Sequence, residues 1–259
     1  MHTPMGPFLS TLRYRNVVLY RFGLLCLIGG FFCLALALTT TRQVLGTNSF
    51  IKPTKFFVSI ALFCWTMGWF TGLLPQRRNV TIYSWVVVAS MLIELVIITG
   101  QATLGKLSHF NVTSFVDAGL FQIMGIAITV LTCWTAYIGY LFFSYKTDTI
   151  EPTYLWSIRL GIVLFVIFAF EGFVMAIRLS HTVGAADGGP GLPVVNWSAR
   201  YGDLRVAHFF GMHALQLIPL LGYYVARRPR QILLLAAFYF LFITFLLMQA
   251  LQERPLMAY

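Results

Sequence analysis

The sequence predicts an all-α integral membrane protein, a polytopic transmembrane helix bundle of about seven helices. Of its residues, 59% are hydrophobic and only 10% are charged, whereas about a quarter of an average soluble domain is charged. Apolar stretches of roughly 20 residues recur along the whole chain, and each is long enough to cross a hydrocarbon core of about 30 Å. The alternating pattern of a membrane β-barrel is absent. These observations exclude a water-soluble fold.

Each apolar stretch predicts one helix, because backbone groups that face lipid have to form hydrogen bonds within their own segment. The predicted helices are 17–40, 56–74, 81–100, 117–144, 154–180, 203–226 and 231–251. No soluble domain, internal repeat or low-complexity segment interrupts them. We therefore expect a single integral-membrane domain over residues 1–259.

Arginine residues before the first helix and a short connection between the second and third mark the boundaries of the first three helices. The helix at 17–40 comes after Arg13 and Arg15 and contains Ala35-Leu36-Ala37, a pattern that also precedes signal-peptidase cleavage sites. We interpret this segment as a retained helix. The second and third helices are separated only by the tight connection at 75–78.

The remaining four helices have recognisable boundaries. Asp117 and Asp203 stand where the fourth and sixth helices are expected to begin, and both are predicted N-caps. The fifth helix ends before a long connection at 181–202. The sixth and seventh helices are separated by a short arginine-rich connection at 227–230.

The distribution of arginine predicts the orientation. Short connections rich in arginine belong on the cytoplasmic side, and this applies to 75–78, to 227–230 and to the segment before the first helix. We expect a cytoplasmic N-terminus and an external C-terminus in a multi-pass protein of the bacterial-type inner (plasma) membrane. Arg42, Lys52 and Lys55 oppose this orientation, since they would be external. The net charge of +10 is interpreted as this orientation signal, and no nucleic-acid partner is expected.

The connection at 181–202 is long for a membrane bundle and rich in glycine and proline. A connection of this length is either a functional cap or a disordered linker. Its apolar and aromatic residues, including Leu192 and Trp197, favour an ordered external loop that covers a site.

Ionisable residues inside membrane spans are costly, and their default interpretation is functional. With seven helices, most of these residues lie in the external half of the bundle or at its surface. The predicted pocket consists of Glu94, His109, Glu171, His181, His208 and His213. Among them, Glu94, Glu171 and His213 are the predicted catalytic or proton-relay residues. We expect Glu171 to lie at the depth of His213 and to orient it.

The histidines also predict a metal or haem site, because imidazole suits iron, copper and zinc. The candidate metal ligands are His109, His181, His208 and His213. His208 and His213 are separated by five residues, so their side chains point about 140° apart on a helix and cannot easily share one ion. We expect His181 and His208 to bind the cofactor, either haem b or a transition metal.

Three functions fit this pocket. The leading hypothesis is a haem- or metal-binding redox protein, an oxidoreductase with quinone or a respiratory-chain protein as partner. A non-haem metal-dependent membrane hydrolase or oxygenase would use the same histidines and a carboxylate base. A proton-coupled transporter would use Glu94, Glu171 and His213 along a pathway, and an assembly subunit of a membrane complex is the structural alternative. In each case the lipid bilayer is the surrounding partner.

Overall fold

The computed structural model describes residues 5–145 and 149–257. Eight helices lie in these ranges. They are α1 (Met5–Arg15), α2 (Val17–Thr39), α3 (Ile51–Thr71), α4 (Arg77–Leu104), α5 (Phe115–Ser144), α6 (Pro152–Arg178), α7 (Leu204–Tyr224) and α8 (Pro229–Leu251). Four two-residue strands form two antiparallel pairs, β1 (Gln43–Val44) with β2 (Thr47–Asn48) and β3 (Thr182–Val183) with β4 (Gly202–Asp203). The predicted all-α membrane helix bundle is confirmed.

Six helices in the described ranges are long and apolar enough to cross a membrane, namely α2, α4, α5, α6, α7 and α8. Together they make the chain a multi-pass integral membrane protein. Helix α1, which the sequence analysis did not predict, is short. The predicted helix at 56–74 is present as α3, but it is not among the six sufficiently apolar helices.

Helix α3 nevertheless runs antiparallel along nearly the whole of α2. Gly72, just beyond the end of α3, lies against Arg15, whereas Phe57 near the other end lies against Gly30. Small residues allow helix backbones to approach closely inside a membrane, where lipid is as apolar as the side chains. Helix α3 therefore packs closely along the apolar helix α2, although its own composition is less apolar.

The chain divides into two compact units, residues 1–134 and 135–259, and the boundary falls within α5. Unit 1 contains α1 to α4 and the first part of α5. Unit 2 contains the rest of α5 and α6 to α8. The expectation of one domain over the whole chain stays a prediction.

In unit 1, one buried side chain connects three helices. Asn16 caps α2 by accepting a hydrogen bond from the backbone of Leu19. Its amide nitrogen donates to Thr71 Oγ1 at 3.1 Å and to Ser84 Oγ at 2.8 Å, which joins α2 to the end of α3 and the start of α4. Hydrogen bonds between helices stabilise packing where no water is available as an alternative partner.

In unit 2, helices α6 and α7 pack closely in a regular antiparallel register. At each close contact, a glycine on one helix faces a larger side chain on the other. The facing pairs are Gly211 with Phe168, Gly161 with Pro219, and Gly222 with Ser157. Helix α8 completes the core of this unit, in which Ile218, Ile232 and Ile243 are fully buried.

The connection between α6 and α7 is folded. The pairing of Thr182 with Asp203 closes its base. Within it, Leu192 N donates to Trp197 O at 2.7 Å, and the Trp197 ring packs on Phe209 of α7 with centroids 5.5 Å apart. The connection therefore packs on the same helix that carries His208 and His213.

Two predicted helix caps have different outcomes. Asp203 caps α7 as predicted, because its carboxylate accepts from Arg205 N. Asp117 is not the N-cap of α5. Ser114 Oγ accepts from Asp117 N, and Ser114 in turn donates to the Asp117 carboxylate. The prediction was wrong by three residues because the serine–aspartate pair forms a reciprocal cap one turn earlier.

Candidate functional site

Glu171 on α6 and His208 on α7 form a carboxylate–imidazole pair, which we call the α6–α7 site. Glu171 Oε2 lies 3.1 Å from His208 Nδ1. Glu171 is only 8% exposed, and its other oxygen, Oε1, is buried without a hydrogen-bond partner among the described residues. Gly172 makes room for the ring, since a Cβ there would lie 3.1 Å from His208 Cε1.

The pairing partner of Glu171 corrects the sequence analysis, which expected His213. Phe168 faces Gly211 and Glu171 faces His208, so one register holds along both helices. If the predicted helix ends at 180 and 203 lay at the same height, Glu171 would lie opposite residue 212, next to His213. In the observed register it lies opposite His208, four residues or about one turn away.

His213 instead has a local environment. Its Nδ1 lies 3.2 Å from Gln216 Oε1, one turn further along α7. The ring of Phe209 packs edge-on against the imidazole with centroids 4.4 Å apart. These contacts hold His213 within α7, and Glu171 contacts His208 instead. The predicted catalytic or proton-relay role of His213 stays a prediction.

Glu94 and His109 form a second pair in unit 1, which we call the α4 site. Glu94 is 2% exposed, and His109 Nε2 lies 3.9 Å from its Oε2. Glu94 Oε1 is buried without a hydrogen-bond partner in the described part of the chain. On the other side of the imidazole, Lys52 Nζ lies 3.2 Å from His109 Nδ1. A lysine, a histidine and a buried glutamate therefore follow one another from α3 to α4.

His181 lies at the base of the connection between α6 and α7. Its Nδ1 is 3.0 Å from Asp187 Oδ1, and its carbonyl accepts from Leu204 N at the start of α7. Burial by itself would raise the pKa of Asp187, but the charge of His181 and hydrogen bonds from Thr182 and Ser180 outweigh this, so the pKa lies below its ordinary value. Asp187 thus ties the connection together as an anion.

The six predicted pocket residues are divided between the two units. Glu94 and His109 meet in unit 1. In unit 2, Glu171 meets His208, whereas His181 and His213 have other partners. A single pocket that contains all six stays a prediction.

No group of three or more histidine, cysteine, aspartate or glutamate side chains is arranged to hold a metal ion within residues 5–145 and 149–257. The two carboxylate–histidine pairs supply two such groups each. The four cysteines do not extend either pair, and Cys26, Cys33 and Cys64 are buried in the helices of unit 1.

Sequence reasoning missed three residues that shape these sites. Lys52 was treated only as a charge that opposes the predicted orientation, although it contacts His109. Asp187 is the only acid in the 181–202 connection, and this was a usable signal for the partner of His181. Gly172 follows Glu171 directly, and a glycine beside a membrane carboxylate is a signal for a close neighbour on the next helix.

Comparisons with protein-family models, with curated proteins and with solved structures give no match. The fold and the spans define the class, a multi-pass integral membrane protein with an α-helical bundle. Its particular activity is therefore inferred from the chemistry of the two pairs.

Proposed function

We propose that the protein is a proton-coupled membrane transport protein and that the α6–α7 site binds the coupling proton. One observation carries this proposal: Glu171 pairs through Oε2 with His208, while its Oε1 is buried without a hydrogen-bond partner among the described residues. Both residues lie within candidate membrane spans. Intramembrane carboxylates and histidines that pair with one another are typical of proton pathways.

The chemistry of the pair supports reversible proton binding. An ionised carboxylate only accepts hydrogen bonds, so His208 Nδ1 donates to Glu171 Oε2. An added proton can be held on the buried Oε1 of Glu171 or on Nε2 of His208. Either position turns a pair with one net negative charge into a neutral pair.

The low polarity of the surroundings links this proton to conformation. An isolated charge inside a membrane protein is costly unless it is paired or solvated. Release of the proton therefore favours a state in which water or a cation reaches Glu171. The close approach of α6 and α7 at Gly172 and Gly211 resists such solvation in the state described here. Proton loss and opening of this interface are expected to occur together.

Infrared difference spectroscopy of the purified full-length protein between acidic and alkaline buffer tests the proposal. We expect a carbonyl band of a protonated carboxylic acid that Glu171→Gln removes. In parallel, hydrogen–deuterium exchange of α7, corrected for its intrinsic pH dependence, is expected to increase at alkaline pH in the wild type and not in Glu171→Gln. His208→Gln is expected to weaken the coupling while retaining one hydrogen-bonding group at the site.

Two matched variants control for general effects. His213→Gln changes the other histidine of α7, and Glu253→Gln changes an exposed carboxylate near the C-terminus. Both should leave the Glu171 band and the pH response of α7 unchanged. If no carboxyl band is lost in Glu171→Gln, or if α7 exchange responds equally to pH in that variant, the proposal is wrong.

A haem or metal-dependent redox function is the second candidate. A metal-binding histidine usually donates its other ring N–H to a carboxylate, and Glu171 contacts His208 at Nδ1 in that manner. In this alternative His208 Nε2 binds haem b or iron, copper or zinc, with His181 as second ligand and quinone or a respiratory-chain protein as electron partner.

Absorption spectra of the oxidised and dithionite-reduced protein, with elemental analysis of the same sample, separate the two candidates. A Soret band that shifts on reduction and is lost in His208→Ala would favour the haem protein. Stoichiometric metal without a Soret band, lost in the same variant, would favour a metal enzyme. Trace metal only, together with a Glu171 carboxyl band, would support the transport protein.

A further inference from the structure

The α4 site contains a buried carboxylate with incomplete hydrogen bonding. Glu94 lies within the span of α4 and is 2% exposed. Its Oε1 has no hydrogen-bond partner among the described residues, and its Oε2 lies 3.9 Å from His109 Nε2, beyond direct hydrogen-bond distance. A polar separation of this size accommodates a bridging water or closes by a small side-chain movement.

Lys52 determines the tautomer of His109. A lysine ammonium group has three donors and no acceptor, so the 3.2 Å contact between Lys52 Nζ and His109 Nδ1 requires Nδ1 to accept. The proton of the neutral imidazole is therefore on Nε2, the nitrogen that faces Glu94. Ser108 Oγ, also 3.2 Å from Nδ1, is compatible with this tautomer because a hydroxyl donates as well.

We propose that Glu94 is a second proton-binding site and that its proton arrives through Lys52 and His109. The Lys52 Nζ–H bond breaks as a bond forms to His109 Nδ1, and the His109 Nε2–H bond breaks as a bond forms to Glu94 Oε2. The lysine, left neutral, regains a proton from water, which leaves hydroxide in the solvent. The imidazole is left with its proton on Nδ1, and it returns to the starting tautomer when solvent takes this proton and supplies one to Nε2. The net change is transfer of one proton from water to the Glu94 carboxylate, with hydroxide left in the solvent.

Two further charged residues near the end of α4, Asp117 and Lys106, are paired with each other, and Arg42 packs on Gly105. Asp117 accepts from Gln101 at 2.8 Å and forms an ion pair with Lys106 at 3.2 Å. Among the described residues, the ionisable groups next to Glu94 are Lys52 of α3, whose charge acts on it, and His109 of the connection after α4. The aromatic rings of Phe56 and Phe121 flank the imidazole. These rings limit direct access of water and favour transfer along the histidine.

The site lies in unit 1 and does not depend on the proposed role of Glu171. The experiment is infrared spectroscopy of the reconstituted full-length protein between about pH 5 and 8, the range in which histidines titrate. We expect a carbonyl band of a protonated carboxylic acid that Glu94→Gln removes and Glu171→Gln retains. After a switch to heavy water, the shift of this band reports how fast the Glu94 proton exchanges.

His109→Gln retains hydrogen bonding but cannot pass a proton, and we expect it to slow the exchange by about 100-fold, as for loss of a positioned acid–base group. Lys52→Gln is a second variant, expected to slow exchange several-fold, and it tests the relay if His109→Gln does not fold. His213→Gln is the matched control and should exchange like the wild type. Absence of a Glu94 band, or wild-type exchange in His109→Gln and Lys52→Gln, would overturn the proposal.

Discussion

Replacement of Asp203 by alanine tests how the connection at 181–202 is attached to α7. Asp203 is 2% exposed. It accepts from Arg205 N at 3.0 Å, from Ser198 N at 2.7 Å, and from the Arg205 guanidinium at 2.9 and 2.6 Å. One carboxylate thus caps α7, holds the end of the connection and pairs with an arginine.

The expected loss is about 3 kcal/mol in the free energy of unfolding. Removal of the N-cap side chain, which accepts from Arg205 N, costs about 1 kcal/mol, and the unpaired donor of Ser198 N costs about another 1 kcal/mol. The arginine side chain is 28% exposed and is partly rehydrated, so its pairing adds only about 1 kcal/mol. Asp203→Asn keeps an acceptor for the backbone donors and loses the charge, so we expect about half of the effect.

Unfolding in mixed detergent micelles, followed by helix content, measures these differences. The expected order of stability is wild type, Asp203→Asn, Asp203→Ala. Exposure of the connection to limited proteolysis should increase in the same order. If the alanine variant remains within about 0.5 kcal/mol of the wild type, the normal range for surface changes, or if both variants are equally unstable, the assigned roles of cap and charge are wrong.

Three further predictions concern packing, pH and helix connection. Gly211→Ala should destabilise unit 2 by about 1–3 kcal/mol, because the added methyl group overpacks against Phe168. Gly125 has open space around it, so Gly125→Ala should not destabilise the protein. Equal thermal stability of the two variants would contradict this prediction. The pKa of Asp187 in the folded protein lies below its ordinary value of 3.8, so ionised Asp187 stabilises the connection at 181–202 above pH 3.8. Cleavage of this connection by an acid protease should increase as the pH falls through the lowered pKa. Asp187→Asn should remove this pH dependence. Asn16→Ala should lower the unfolding free energy by about 2 kcal/mol, through loss of a cap and two buried hydrogen bonds; Asn16→Ser, which keeps the cap alone, should recover about half.

The helices could be predicted because a span of lipid imposes length and composition on each one. Six of the seven predicted helices satisfy both conditions. The position of α3 was predicted, but its start at Ile51 was not. Lys52 and Lys55 interrupt the apolar pattern there, so the predicted helix began later. The short helix α1 carries no long apolar run, and the sequence pattern did not indicate it.

The site was predicted by residue type, and its pairings were not. The free-energy cost of placing a carboxylate inside a membrane span is enough to identify Glu94 and Glu171 as exceptional residues in apolar helices. Their partners depend on how neighbouring helices are aligned along each other, and the length of the connecting segment does not determine that alignment. Between α6 and α7 the register is set by the close approach of Gly211 to Phe168, and it selects His208 over His213. In unit 1, Glu94 and His109 were both predicted pocket residues, but neither their pairing nor the contact of His109 with Lys52 was predicted.

Each site pairs a buried glutamate with a histidine, but the two histidines have different contacts, and this separates the behaviour expected of the two sites. In the α4 site the histidine belongs to a connection and contacts Lys52, so loss of the histidine should change the rate of proton exchange. In the α6–α7 site the histidine is part of a tightly packed helix beside Gly172, so its loss should change the link between protonation and helix movement. A histidine-to-glutamine change that altered rate at both sites and conformation at neither would mean that the α6–α7 pair is a proton relay without coupling.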